Sequence, residues 1–152
     1  MRIDLGLLVL RLTGLGLAAV HGWPKLVELQ AGTSKFPESV AALGFPAPTV
    51  FAWLAALAEV VGGLGVALGL GTRIAASIAA SAMVVAAFLR HHAHDLLLAK
   101  LGLVTASEEQ RQAWGNPEPA LVYLAAMIAI ALVGPGRLSI DAMMIGSRGR
   151  KK

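Results

Sequence analysis

Apolar and polar positions divide the chain into four long apolar stretches, 5–20, 50–71, 74–89 and 119–135, separated by segments rich in proline, glycine and charge. Only two charges fall inside them: Arg11 in the first and Glu59 in the second. A helix rises about 1.5 Å per residue and a bilayer core is about 30 Å thick, so each stretch crosses or nearly crosses a membrane once its flanks are counted. The pattern predicts an all-α fold, an integral-membrane four-helix bundle, in one domain over 1–152. Its helices fall at 5–29, 49–70, 72–94 and 118–134, and a short basic tail follows. Arg2 ahead of the first stretch gives it a superficial likeness to a signal peptide, but Arg11 in its middle argues for a retained helix.

Helical periodicity assigns faces to these segments. At about 100° per residue, Ala52, Ala55, Ala56, Glu59, Gly62, Gly63 and Val66 share one side of the second stretch, and Leu54, Leu57, Val61, Leu64 and Leu68 the other. Small residues let helices approach closely and bulky aliphatics suit lipid tails, so Glu59 is expected to point into the bundle. By the same count the inner faces carry Arg11, Gly14, His21 and Lys25 on the first helix, Ser77, Ser81, Val84, His91 and Asp95 on the third, and Glu118, Val122, Ala125 and Ala129 on the fourth.

The connections are readable in outline. "ELQAGTSKFPESVAALGFPAPTV" holds three prolines, and its apolar "VAALGF" suits docking on the bundle or dipping into the interface. "SEEQRQAW" reads as a short exposed helix opened by a Ser107 cap. Gly134 and Pro135 close the fourth stretch.

Composition agrees with a membrane environment: 57% of residues are hydrophobic and 14% charged, against about 25% charged in a soluble domain. There is no cysteine, which excludes disulfides, thiolate-held clusters and thiol exchange. An even number of helices puts both termini on one side, with Arg2, Arg73, Arg137, Arg148, Arg150, Lys151 and Lys152 there, against Lys25, Lys35, Arg90, Lys100 and Arg111 on the other. This bias favours cytoplasmic termini in a bacterial-type inner membrane. The tail "SRGRKK" suits anionic lipid headgroups, and no interleaving of aromatic and basic residues calls for nucleic acid.

Arg11 and Glu59, opposite in sign and deep in apolar segments, are expected to pair, either as a structural ion pair fixing helix register or as part of a polar cavity. His21, Lys25, His91, His92, His94 and Glu118 form a rim above Glu59. Its histidines read as solvated interfacial groups, as proton- or ligand-handling groups or, on the spacing "HHAH" with His21, as metal ligands. The last pattern lacks a carboxylate partner set, so no metal is assigned. Trp23, Trp53, Trp114 and Tyr123 make an interfacial belt or a stacking platform for a ring.

The segments "LRLTGLGLAAVHGWPKL", "LAALAEVVGGLGVALGLGTR", the histidines closing the third helix, and "NPEPALVYLAAMIAIALVGPGRLSID" together resemble the DoxX family of small four-helix membrane proteins, related to the DoxD subunit of thiosulfate:quinone oxidoreductase. The resemblance places Arg11, His21, Gly22, Lys25, Glu59, Gly63, Thr72, Arg73, His91, Glu118, Gly134, Pro135, Arg137 and Asp141 on the family's characteristic positions. The sequence departs from the pattern in its extra histidines and in the long insertion before the fourth helix. What the resemblance implies is a membrane subunit of an oxidoreductase assembly that handles a quinone or protons at Arg11, His21, Lys25, Glu59, His91 and Glu118. A protein partner carrying the redox centre, or a second copy of the chain, goes with that role. Gly62, Gly63, Arg73, Gly134, Pro135, Arg137 and Asp141 are then structural. The alternative from a different class is a small-molecule or lipid-binding membrane protein, or a transporter, using the same cluster.

Overall fold

The computed structural model describes residues 1–149, and its described residues hold helices and no strands. The basic residues expected at 150–152 lie outside them. The helices are α1 (Arg2–Gly16), α2 (Trp23–Ala31), α3 (Phe36–Ala42), α4 (Pro48–Leu68), α5 (Thr72–Val84), α6 (Ala93–Lys100), α7 (Glu108–Trp114), α8 (Glu118–Val133) and α9 (Ile140–Gly149). A π-helical turn, Leu17–Gly22, joins α1 to α2, and another, Val85–Arg90, extends α5. Three helical stretches are long and apolar enough to cross a bilayer: Arg2–Ala31, Pro48–Leu68 and Thr72–Arg90. The count becomes four if α7 and α8, bent by 46° at their break, act as one span.

Local sequence explains these boundaries. Pro24 has no N–H to donate to Val20, and its ring crowds that carbonyl, so the backbone widens into the π turn just before it. Pro48 opens α4, where its missing donor costs nothing, and Gly69 at φ +72° closes it with a left-handed cap. Ser107 and Gln110 exchange the two hydrogen bonds of a capping box at the start of α7.

α1, α4, α5 and α8 pack as a ring in which α5 touches α4 and α8, and α1 touches α4 and α8. Two adjacent glycines make the central helix thin on two sides. A Cβ on Gly63 would collide with the Gly14 carbonyl and Ala18, and one on Gly62 would meet Ala75 and Ala79. Small residues therefore set the α1–α4 and α4–α5 crossings, bringing backbones into contact as membrane helices require. Leu54, Leu57, Val61, Leu64 and Leu68 remain exposed on the far side of α4, as its periodicity predicts.

The other expected inner faces need correction. On α5 the buried residues are Thr72, Ala75, Ala76, Ala79 and Met83, while Ser77, Ser81 and Val84 are exposed. The two hydroxyls donate to the Arg73 and Ile78 carbonyls, so they need no partner inside. On α8 the buried residues are Ala120, Leu124, Ala126, Met127 and Ile130, and Glu118, Val122 and Ala125 face outward. Large α8 side chains fill the space that the alanines of α5 leave, so bulk rather than polarity marks this face. The third predicted helix, 72–94, also ends early: His92 sits at φ +47° and breaks it before α6.

One end of the ring is locked by polar contacts. Arg11, buried at the α1–α4 crossing, donates from Nε to the Val66 carbonyl at 3.1 Å and from Nη2 to Ala67 at 3.1 Å, both in the last turn of α4. Its Nη1 donates to Pro135 at 2.6 Å and Leu138 at 2.7 Å, tying in the chain after α8. Asp141 caps α5 from a distance: Oδ1 accepts from the Gly71 N–H at 2.8 Å, and Oδ2 from the Thr72 N–H and hydroxyl at 2.9 and 2.7 Å. The Asp141 N–H donates to the Gly69 carbonyl at 2.8 Å. Arg137 extends this end, its N–H donating to Asp4 Oδ1, and the exposed Arg73 guanidinium lies against Gly134.

Burial raises the Asp141 pKa, but the bonds from Thr72 and Gly71 and the nearby Arg11 charge outweigh it and hold the carboxyl below its ordinary 3.8. Its contribution to stability is therefore present above that value and lost as pH falls through the lower folded one. Asp141→Ala should cost about 1–2 kcal/mol at neutral pH in detergent unfolding, the order of a helix cap. The gap from wild type should shrink as pH drops below the ordinary carboxylate range; a gap independent of pH would remove the charged-cap account.

Candidate functional site

The buried carboxylate of α4 meets a different cation from the one expected. Lys25 Nζ lies 2.6 Å from Glu59 Oε1 and 2.8 Å from Oε2, with the Glu59 side chain 3% exposed and that of Lys25 30%. The expected Arg11–Glu59 pair does not form. Arg11 stands level with Val66, seven residues and about 10 Å along α4 from Glu59, where backbone carbonyls match its fork of donors. Lys25 lies beyond the π turn on α2, and its flexible stem reaches back to the carboxylate. Gly22 permits this, since a Cβ there would strike Glu59 and Val60.

The ion pair borders a cavity of about 510 Å³ between α3, α4 and the π-helical end of α5. Its walls are mainly apolar, with Phe36 and Val40 from α3, Leu43 and Phe45 just after it, and Phe51, Leu54, Ala55 and Ala58 from α4. Ser81, Val85, Ala86, Arg90 and His91 complete it. Lys25 Nζ also sits 4.9 Å from the Phe36 ring centroid, a cation–π contact that ties α3 to the ion pair. The Phe45 and Phe51 rings pack at 4.7 Å. Exposed Leu54 and Ser81 put part of the lining on the outer faces of α4 and α5.

The remaining rim residues separate. His91 turns Nδ1 to the Trp114 carbonyl at 2.6 Å, linking the cavity wall to α7. His92 stacks on Trp114 at 4.8 Å, and His92 and His94 both approach Asp95. His21 is half-buried with its ring edge-on to Tyr123 at 5.3 Å, and it does not line the cavity. Glu118 is exposed at the start of α8, where its N–H is capped by Asn116 Oδ1. Among the described residues no three His, Asp or Glu side chains gather as a metal site would require.

The structure thus sorts the sequence candidates into two ends. Lys25, Glu59 and His91 meet at the cavity; Arg11, Asp141 and the carbonyls of Pro135 and Leu138 meet at the lock. Sequence reasoning missed Arg90 and the α3 wall, although the apolar "VAALGF" marked α3 as a segment that docks.

A DoxX family model matches residues 6–92. The chain belongs to the DoxX family. The matched region runs from α1 to just past the second π turn and includes Arg11, Lys25, Glu59 and His91; α6 to α9 lie beyond it. Family and apolar helices together make this DoxX protein a multi-pass membrane protein. No curated protein and no solved structure matches the chain.

If Lys25 and Glu59 act as one unit, removing one partner leaves the other stranded. Lys25→Met should destabilise the protein by about 2–3 kcal/mol, less than for a fully dry pair because Lys25 keeps some water contact. Lys25→Met with Glu59→Gln should cost less than the sum of the single changes. Arg11→Lys with Glu59→Gln should instead be additive within about 0.5 kcal/mol, as for non-contacting sites. Unfolding of the singles and doubles in one detergent distinguishes the two pairings.

Proposed function

We propose that this DoxX protein crosses a bacterial-type inner membrane four times with both termini cytoplasmic, and that its cavity takes a small amphiphile with a polar ring, such as a quinone, as the membrane subunit of an oxidoreductase assembly. The observation that carries the ligand reading is the cavity itself. A largely apolar space with a few convergent polar groups is the usual form of a small-molecule site, and here Lys25, Glu59, Arg90 and His91 supply those groups. Lining residues on the outer faces of α4 and α5 favour a ligand that arrives through the lipid.

The fourth span is α8, 16 residues long and short by itself, with α7 extending it across the bend. Seven basic residues at the terminal side against five on the other support cytoplasmic termini. With no cysteine in the chain, a partner protein is the source of the electron-transfer centre, and the chain contributes ligand binding, orientation and exclusion of water. Binding of a lipid or other small molecule for transport is the second reading, favoured by the same lipid-side walls. The bilayer is the partner in either case, and nothing in the sequence pattern selects nucleic acid.

Two measurements test this. Protein purified with its native lipids should carry a ring-bearing amphiphile by mass spectrometry, and Ala58→Phe, which puts a ring into the cavity and leaves Lys25 and Glu59 unsubstituted, should lose it. Recovery of bulk lipid alone, or equal recovery from the filled variant, would remove the ligand reading. Because the chain has no native cysteine, single reporters give a clean topology: a cysteine at Ser34 should react with an impermeant reagent from outside, and one added after Lys152 should not.

A further inference from the structure

His91 is fixed in one tautomer by its neighbour. The Trp114 carbonyl oxygen only accepts, so at 2.6 Å the His91 Nδ1 must carry the hydrogen. The neutral ring then presents Nε2 as a bare lone pair, and no hydrogen bond to Nε2 is present among the described residues. His91 lines the cavity. The ring is half-buried and no protein group donates to Nε2, so a ligand hydroxyl can take that place.

Lys25, also in the lining, uses two of its three ammonium hydrogens on the Glu59 oxygens, which leaves one donor. The walls therefore offer an acceptor at His91 and a donor at Lys25 within a largely apolar lining. We propose that His91 makes the cavity selective for an amphiphile with a hydroxyl on its ring, a phenol or enol, that donates to His91 Nε2. This rests on the reading of the cavity as a ligand site and adds the chemical class that the site selects.

The test uses para-octylphenol and its methyl ether, which differ only in the hydroxyl hydrogen and one methyl group. Binding is measured by calorimetry to the whole protein in lipid nanodiscs. The phenol should bind about tenfold more tightly than the ether, the scale of one net hydrogen bond. In His91→Asn the side-chain amide takes the place of Nδ1 and keeps the bond to Trp114, but nothing replaces Nε2, so the preference should fall to within about twofold. His91→Gln can place its carbonyl oxygen where Nε2 was and should restore most of the preference. Equal binding of phenol and ether to wild type, or a preference that survives in His91→Asn, would overturn the assignment while leaving the cavity a ligand site. If neither probe binds wild type, the cavity reading falls and the selectivity with it.

Discussion

The rest of the structure depends on one guanidinium. Arg11 sits where water is scarce, and a bare charge there would be expensive; it is held because four backbone carbonyls from two distant parts of the chain converge on it. Two of these belong to the last turn of α4 and two to the connection after α8. The converging carbonyl dipoles offset the cost of burying the charge. In doing so they join α1, α4 and the end of α8 at one level and fix where Gly14 meets Gly63. Asp141 completes the arrangement by bonding the first N–H groups of α5 within reach of the Arg11 charge.

Much of this was legible in the sequence, and the failures share a cause. The apolar stretches, the small-residue face of α4 and Ser107 are local signals, and each has its expected structural counterpart. The pairing of Arg11 was not local. Opposite charges on neighbouring helices suggest an ion pair, but charge counting overlooks backbone carbonyls, which are strong acceptors and together match a guanidinium where several converge. The faces of α5 and α8 failed similarly: polar spacing was read as an inner stripe where serines satisfy themselves and bulky apolar residues pack inward. The π turns were invisible because one extra residue per turn shifts the phase of every face beyond it, which is why His21 and Lys25 do not share the environment that straight helical counting gave them.

Those π turns also locate the cavity. One precedes Lys25 and the other ends just before His91, so the phase of the helix is reset ahead of both polar groups. A straight α2 would carry Lys25 on a different face, away from Glu59. The deviation from ideal geometry and the polar cluster are thus two aspects of one feature, and Pro24 supplies its cause on the α2 side. On the α5 side no proline occurs, and the turn ends where His92 adopts a left-handed backbone and stacks on Trp114.

The choice of cation at each end follows from what each must do. Arginine at the lock has five donors in a rigid fork and engages four fixed carbonyls, an arrangement a lysine has too few and too mobile donors to reproduce. Lysine at the cavity has a compact head on a flexible stem, holds both oxygens of Glu59, rests against Phe36 and retains a free donor. The two ends thus divide the labour: the arginine ties distant parts of the chain at one level, and the lysine pairs with a buried carboxylate beside the cavity.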